Sequence, residues 1–174
     1  MPSPSELLLA KLVAIASKEV GTRESGGNNR GARVEEYQQA TWLNPAPWPW
    51  CAAFTAWCLR KWLQDAQVMA ALKLKDAAAA QEWRCRDASA FGWEKWARAR
   101  KLAVLDETQP AKPGDIVIFD FSHIGIVTGK VGKSISTVEG NTNGQGERDS
   151  VSGDGVWAKS RKVELVKCYV RLLP

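Results

Sequence analysis

Three prolines at alternate positions, Pro45, Pro47 and Pro49, stand directly before a run of helix formers that opens at Cys51. A proline ring locks φ and removes a backbone donor, so residues 44–50 have to run extended or turned, and no helix can pass through them. Downstream, Cys51 to Ala66 reads as a helix, with Phe54, Cys58 and Trp62 four apart on one stripe. The prolines therefore place a cysteine on the first turn of a helix. Within that helix Cys58 lies about 10 Å along the axis at ~1.5 Å per residue, beyond disulfide reach of Cys51.

The rest of the chain divides into a helical first half and a strand-rich second half. Ser3, Pro4 and Glu6 form a capping-box start for a helix carrying Leu8, Leu12 and Ile15, with Gly21 as its stop. The Gly-, Asn- and Arg-rich stretch from Thr22 to Arg33 reads as a loop, and Val34 to Gln39 as a short helix bearing Tyr37. Residues 67–86 read as helical, and Asp87 or Ser89 caps a further helix with Trp93 and Trp96 on one face. Pro110 and Pro113-Gly114 mark a change of texture. Beyond them come short Val-, Ile- and Phe-rich runs at 116–119, 124–127, 135–138, from 156 onward and at 168–172, the pattern of an antiparallel meander. Helices first and strands second indicate an α+β fold, N-terminal helices packed on a C-terminal antiparallel sheet, and 174 residues suit one domain spanning 1–174. The piece from Gly140 to Gly155 reads as a loop inside that domain.

Composition excludes several classes. Hydrophobic residues at 45% with 25% charged leave enough apolar side chain for a packed core and argue against disorder. The longest apolar stretch, Leu7 to Ala16, is interrupted by Lys11 and falls short of the roughly 20 residues of a membrane span. It also lacks a basic leader and a cleavage site, so synthesis in the cytoplasm without a signal peptide is expected. The net charge of +5 favours an anionic partner, yet no nucleic-acid motif stands out and none is expected to bind. Four cysteines without a C-x-x-C pair, together with a lone histidine, argue against a structural zinc site. No metal and no cofactor is expected.

The chemistry converges on four residues. A thiolate is the nucleophilic form of cysteine, and a helix N-terminus favours it through its partial positive charge and free N–H groups, which is the setting of Cys51. An imidazole would complete the activation, and any imidazole must be His123, the only histidine in the chain. It opens a strand after the Phe121-Ser122 turn, with Gly125 and Val127 on its face. The other ring nitrogen needs an orienting partner. Glu139 and Asn141, two apart on the next strand, face one side with Val138 turned away, and either could serve; Asp115 and Asp120 are rivals. Trp48 and Trp50 flank Cys51 on the proline-stiffened loop and are expected to line a groove for sugar rings or peptide stems.

In order and spacing, PWCAAFTAWCL at 49–59, GDIVIF at 114–119, SHIGIVTG at 122–129 and VEGNTN at 138–143 resemble the CHAP amidase/peptidase family. That family is similar to the NlpC/P60 and papain-like thiol hydrolases that cut peptidoglycan, and the resemblance covers roughly residues 5–172. It implies Cys51 as nucleophile, His123 as general base and acid, Glu139 as the orienter of His123 and Asn141 as further polar support. One departure concerns the oxyanion. Many CHAP sequences carry Gln just before the nucleophile, where this chain has Trp50, so the donor is expected to be the Cys51 N–H or a distant group such as Tyr37. Some CHAP domains bind calcium through acidic residues ahead of the nucleophile, and residues 40–50 contain none.

The resulting expectation is a monomeric peptidoglycan hydrolase that cuts an amide bond through a thioester on Cys51. Without a signal peptide it would reach the periplasm or cell wall after release or injection, as a holin-released phage endolysin, a tail-associated lysin, or an antibacterial effector with an immunity protein. The alternatives are a thiol acyltransferase or isopeptidase acting on another substrate, and a non-catalytic wall-binding module.

Overall fold

The computed structural model describes residues 1–145 and 153–174. Among these residues six α-helices come first: α1 Pro4–Lys18, α2 Ala32–Gln38, α3 Cys51–Trp62, α4 Ala66–Ala71, α5 Ala77–Trp83 and α6 Ala90–Ala99. Six strands follow: β1 Ala103–Leu105, β2 Ile116–Phe119, β3 His123–Val131, β4 Ser134–Thr142, β5 Gly155–Lys162 and β6 Val166–Arg171. The strands form one antiparallel sheet in the order β1-β6-β2-β3-β4-β5, so the fold is α+β. The meander expected from the sequence runs from β2 to β5. The chain then returns, and β6 pairs with β2 on its free side.

Local chemistry explains the boundaries. The Ser3 side chain accepts the Glu6 N–H while Glu6 accepts the Ser3 N–H at 2.6 Å, closing the capping box on α1. Expected to run to Ala66, α3 instead ends at Trp62, because Asp65 caps a new helix by accepting the N–H groups of Gln67 and Val68. The region 67–86 is not one helix: Lys73 turns left-handed at φ 57°, and Asp76 recaps the chain through the Ala79 N–H. Three residues long, β1 was too short to signal itself in the sequence. Part of the stretch read as a loop from Gly140 to Gly155 belongs to β4 and β5, and residues 146–152 lie outside the described residues.

One apolar cluster joins the helices to one face of the sheet. Leu12, Phe54, Trp62 and Trp93 meet Ile116, Ile118, Ile124, Ile126 and Val138, all fully or almost fully buried. Rather than presenting a single stripe, α3 is buried from Cys51 through Leu59, the property of a central helix. A smaller cluster with Val117, Phe119, Val127, Ile135 and Tyr169 covers the opposite face. The helix face allows a close approach at Gly140, where an added Cβ would stand 2.5 Å from Phe54 Cβ and 3.0 Å from the Trp50 ring. Having no side chain there lets the first turn of α3 lie against β4. No helix is long and apolar enough to cross a membrane, among the described residues.

Candidate active site

The proline-rich segment delivers Cys51 as the first residue of α3, and Trp50 before it supplies no side-chain cap. Cys51 is 6% exposed and lines a cleft of about 700 Å³. Across the cleft, Phe121 and Ser122 form the turn into β3, with Ser122 left-handed at φ 60°, and His123 follows as the first strand residue. His123 is fully buried beside the rings of Phe119 and Phe121, with centroids 6.0 and 5.7 Å away.

Glu139 reaches His123 from β4, its Oε2 2.7 Å from Nε2. Gly125 makes the path possible, since a Cβ there would stand 2.6 Å from Glu139 Cγ. With Nε2 taken by the carboxylate, Nδ1 is the nitrogen left over, and it is buried without a hydrogen-bond partner among the described residues. The Cys51 thiol is near enough to act on the charge of the ring, but closes no hydrogen bond of ordinary geometry onto Nδ1. Catalytic hydrogen bonds are often this loose before substrate binds.

The electrostatics favour a protonated imidazole. Burial opposes the charge, but the adjacent Glu139 carboxylate and Cys51 together outweigh it and raise the His123 pKa to about 9. Burial likewise opposes the Glu139 charge, and is overcome by His123 and by Arg161, which hold the carboxyl at about 2.

Arg161 was not singled out from the sequence. It comes from β5, fully buried, and donates from Nε to Glu139 Oε1 at 3.0 Å and from Nη2 to Oε2. Its guanidinium lies over the rings of Phe119 and Phe121, while Thr137 donates to Glu139 Oε1 at 2.6 Å. The carboxylate is thus held on both oxygens, and its orientation is set before any substrate arrives. The one sequence signal for Arg161 was a cationic residue on an alternating strand, which usually faces solvent.

Asn141 lines the cleft beside Cys51, left-handed at φ 52°, where the pairing of β4 with β5 shifts register. It forms no side-chain hydrogen bond with a described residue, and Glu139 alone of the two engages the ring. Asp115 is remote in function: both its oxygens bind Arg171, at 3.0 and 2.8 Å, tying β2 to β6. Asp120 is exposed.

Two residues expected at the substrate surface are not there. Trp50 is fully buried, stacked on Tyr37 with centroids 5.5 Å apart, and donates its indole N–H to Glu24 at 2.8 Å. Tyr37 is equally buried and donates its hydroxyl to Glu19, so it cannot serve an oxyanion. Trp48 does line the cleft, together with Asn28 and Asn29 from the loop after α1. All four cysteines are unpaired, and among the described residues no three His, Cys, Asp or Glu side chains converge as a metal site requires.

A family model described as the CHAP domain matches residues 42–141, a span that contains Cys51, His123, Glu139 and Asn141. No curated protein matches the chain.

Proposed function

This chain belongs to the CHAP domain family of amidases and peptidases, and on that premise we propose that it hydrolyses an amide bond of peptidoglycan through a thioester on Cys51. The observation that carries the proposal is the placement of a buried His123, locked on Nε2 by Glu139, with its free Nδ1 left for the thiol at the first turn of α3.

In the proposed reaction His123 Nδ1 already holds the proton that Cys51 has given up, Sγ bonds to the substrate carbonyl carbon, and charge gathers on the carbonyl oxygen. The tetrahedral species collapses by breaking the C–N bond, and the amine departs with the proton held at Nδ1. Nδ1 then takes a proton from water as its oxygen attacks the thioester. The C–S bond breaks with its electron pair left on sulfur, the carboxylic acid leaves, and the proton stays on Nδ1 beside it. Glu139 keeps its charge throughout, holding the ring by its Nε2 proton and stabilising the imidazolium.

A cleft of about 700 Å³ with Trp48 on its wall is large enough to hold a stem peptide or a sugar ring. The basic net charge suits an anionic envelope. Acting as a monomer, the enzyme would meet its substrate in the periplasm or cell wall, as a phage lysin or an injected effector.

Dye-labelled sacculi test the reading. Wild type should release soluble dye, whereas Cys51→Ala should release none while keeping its melting transition, and His123→Ala should release none while melting cooperatively at a lower temperature. Hydrolysis by Cys51→Ala at the wild-type rate would overturn the assignment. Acyl transfer to a non-murein acceptor, with intact sacculi left untouched, would mark an acyltransferase instead.

A further inference from the structure

An acylating thiol needs donors aimed at the developing oxyanion, and the side-chain donor expected from the sequence, Tyr37, is spent, as are the two indole N–H groups nearby. The Trp50 indole N–H goes to Glu24, the Tyr37 hydroxyl to Glu19 and the Trp48 indole N–H to the Asn44 carbonyl at 3.0 Å. The Cys51 N–H remains, since the first N–H groups of a helix have no partner inside it, but a single donor is a poor oxyanion hole. Asn29 stands out against this background. It is 8% exposed and lines the Cys51 cleft, yet its carboxamide makes no hydrogen bond with any described residue. The amide therefore faces the open cleft with no partner in the protein among the described residues, and is available to a group bound there. Its backbone is left-handed at φ 56°, a conformation held by the tight turn in which the Ser25 N–H bonds the Arg30 carbonyl at 3.0 Å. The same loop is pinned to the residue before the nucleophile through the Glu24–Trp50 hydrogen bond, and Asn29 shares the cleft with Cys51. Asn141 also lines the cleft, but comes from β4, the strand that bears Glu139.

Resting on the thioester reading above, we propose that the Asn29 carboxamide is the side-chain oxyanion donor of this site. With the Cys51 N–H it holds the carbonyl oxygen while Sγ is bonded to the carbon, and it releases that oxygen when the C–N bond breaks and the carbonyl re-forms. The loop after α1 thereby takes over a role that the position before the nucleophile cannot fill in this chain.

Wild type, Asn29→Gly and Asn29→Asp test the assignment. Glycine keeps the left-handed backbone without strain and deletes the amide; aspartate keeps the shape but offers no N–H. Each protein is treated separately with p-nitrophenyl acetate, which acylates the thiol through a tetrahedral oxyanion with loss of p-nitrophenolate, and with iodoacetamide, which alkylates it by displacement of iodide without one. Mass spectrometry reads both rates at Cys51. Acylation should fall about 100-fold in both variants while alkylation stays within about twofold of wild type. Unchanged acylation, or equal loss of both reactions, would overturn the assignment, the second by showing that Asn29 only supports the fold. If wild-type Cys51 is alkylated but never acylated, the thioester reading fails, and the Asn29 assignment with it.

Discussion

Glu139 binds His123 at Nε2, 2.7 Å away, and so leaves Nδ1 as the nitrogen available to Cys51. The carboxylate decides which ring nitrogen does the chemistry, and Arg161, on the next strand, holds the carboxylate.

Opposite pH limbs of stability follow from this pair. Because His123 titrates at about 9 when folded and 6.5 otherwise, the folded state binds its proton more tightly. Its contribution is complete below pH 6.5 and is lost as pH rises to about 9. Glu139, held at about 2 against 4.5, contributes fully above pH 4.5 and loses that contribution as pH falls towards 2. Thermal melts of wild type should weaken along both limbs. Glu139→Gln should lack the acid limb and show a smaller alkaline one, and an alkaline limb undiminished in this variant would contradict the coupling.

Arg161→Met should destabilise the protein by about 3–5 kcal/mol, because it removes the one cation that grips both oxygens of a fully buried carboxylate and leaves it His123 and Thr137 alone. Arg161→Lys should recover only part of this, since an ammonium cannot grip both oxygens. Urea denaturation measures the loss, and turnover should fall with it as Glu139 gains freedom to turn. Wild-type stability in Arg161→Met would show that the guanidinium is not what holds Glu139.

Gly140→Ala should cost about 1–3 kcal/mol, since its Cβ enters the space of Phe54 and Trp50 and pushes α3 off β4. The same displacement moves Cys51 relative to His123, so kcat should drop beyond what the stability loss explains. Full activity at a temperature where the variant is folded would contradict the close-approach argument.

Much of this site was legible because its signals are local. Prolines 45, 47 and 49 bar a helix until residue 50, which placed Cys51; uniqueness placed His123; and strand alternation placed Glu139 on the His123 side, while Asn141 sits left-handed at a register shift that alternation does not foresee. Partners from distant strands carried no such mark. Arg161 meets Glu139 only because β4 and β5 pair, across 22 residues of sequence, and its neighbours Lys159 and Lys162 made it look like one more solvated cation. Trp48 and Trp50 were indistinguishable in sequence, two tryptophans after two prolines. Tyr37 separates them, by stacking on one and not the other. Likewise, the break between α3 and α4 turns on whether Asp65 points at the next backbone or at solvent, which composition does not reveal.

The two tryptophans should therefore behave differently. Trp48→Ala should raise KM on sacculi with little change in kcat or melting temperature, as expected for a wall of the cleft. Trp50→Ala should cost about 3–5 kcal/mol, from loss of a fully buried indole. Calorimetry and initial rates separate them, and equal destabilisation by both would contradict the assignment of Trp48 to the substrate surface.

Mass spectrometry of muropeptides, after purified sacculi are incubated with wild type and with Cys51→Ala, tests the central claim most directly. Hydrolysis of an amide bond predicts new soluble fragments from wild type alone, either free stem peptides, from cleavage at the sugar lactyl group, or trimmed and uncrosslinked muropeptides, from cleavage within the peptide. Identical fragment spectra from the two proteins, across mureins of different cross-link, would contradict it.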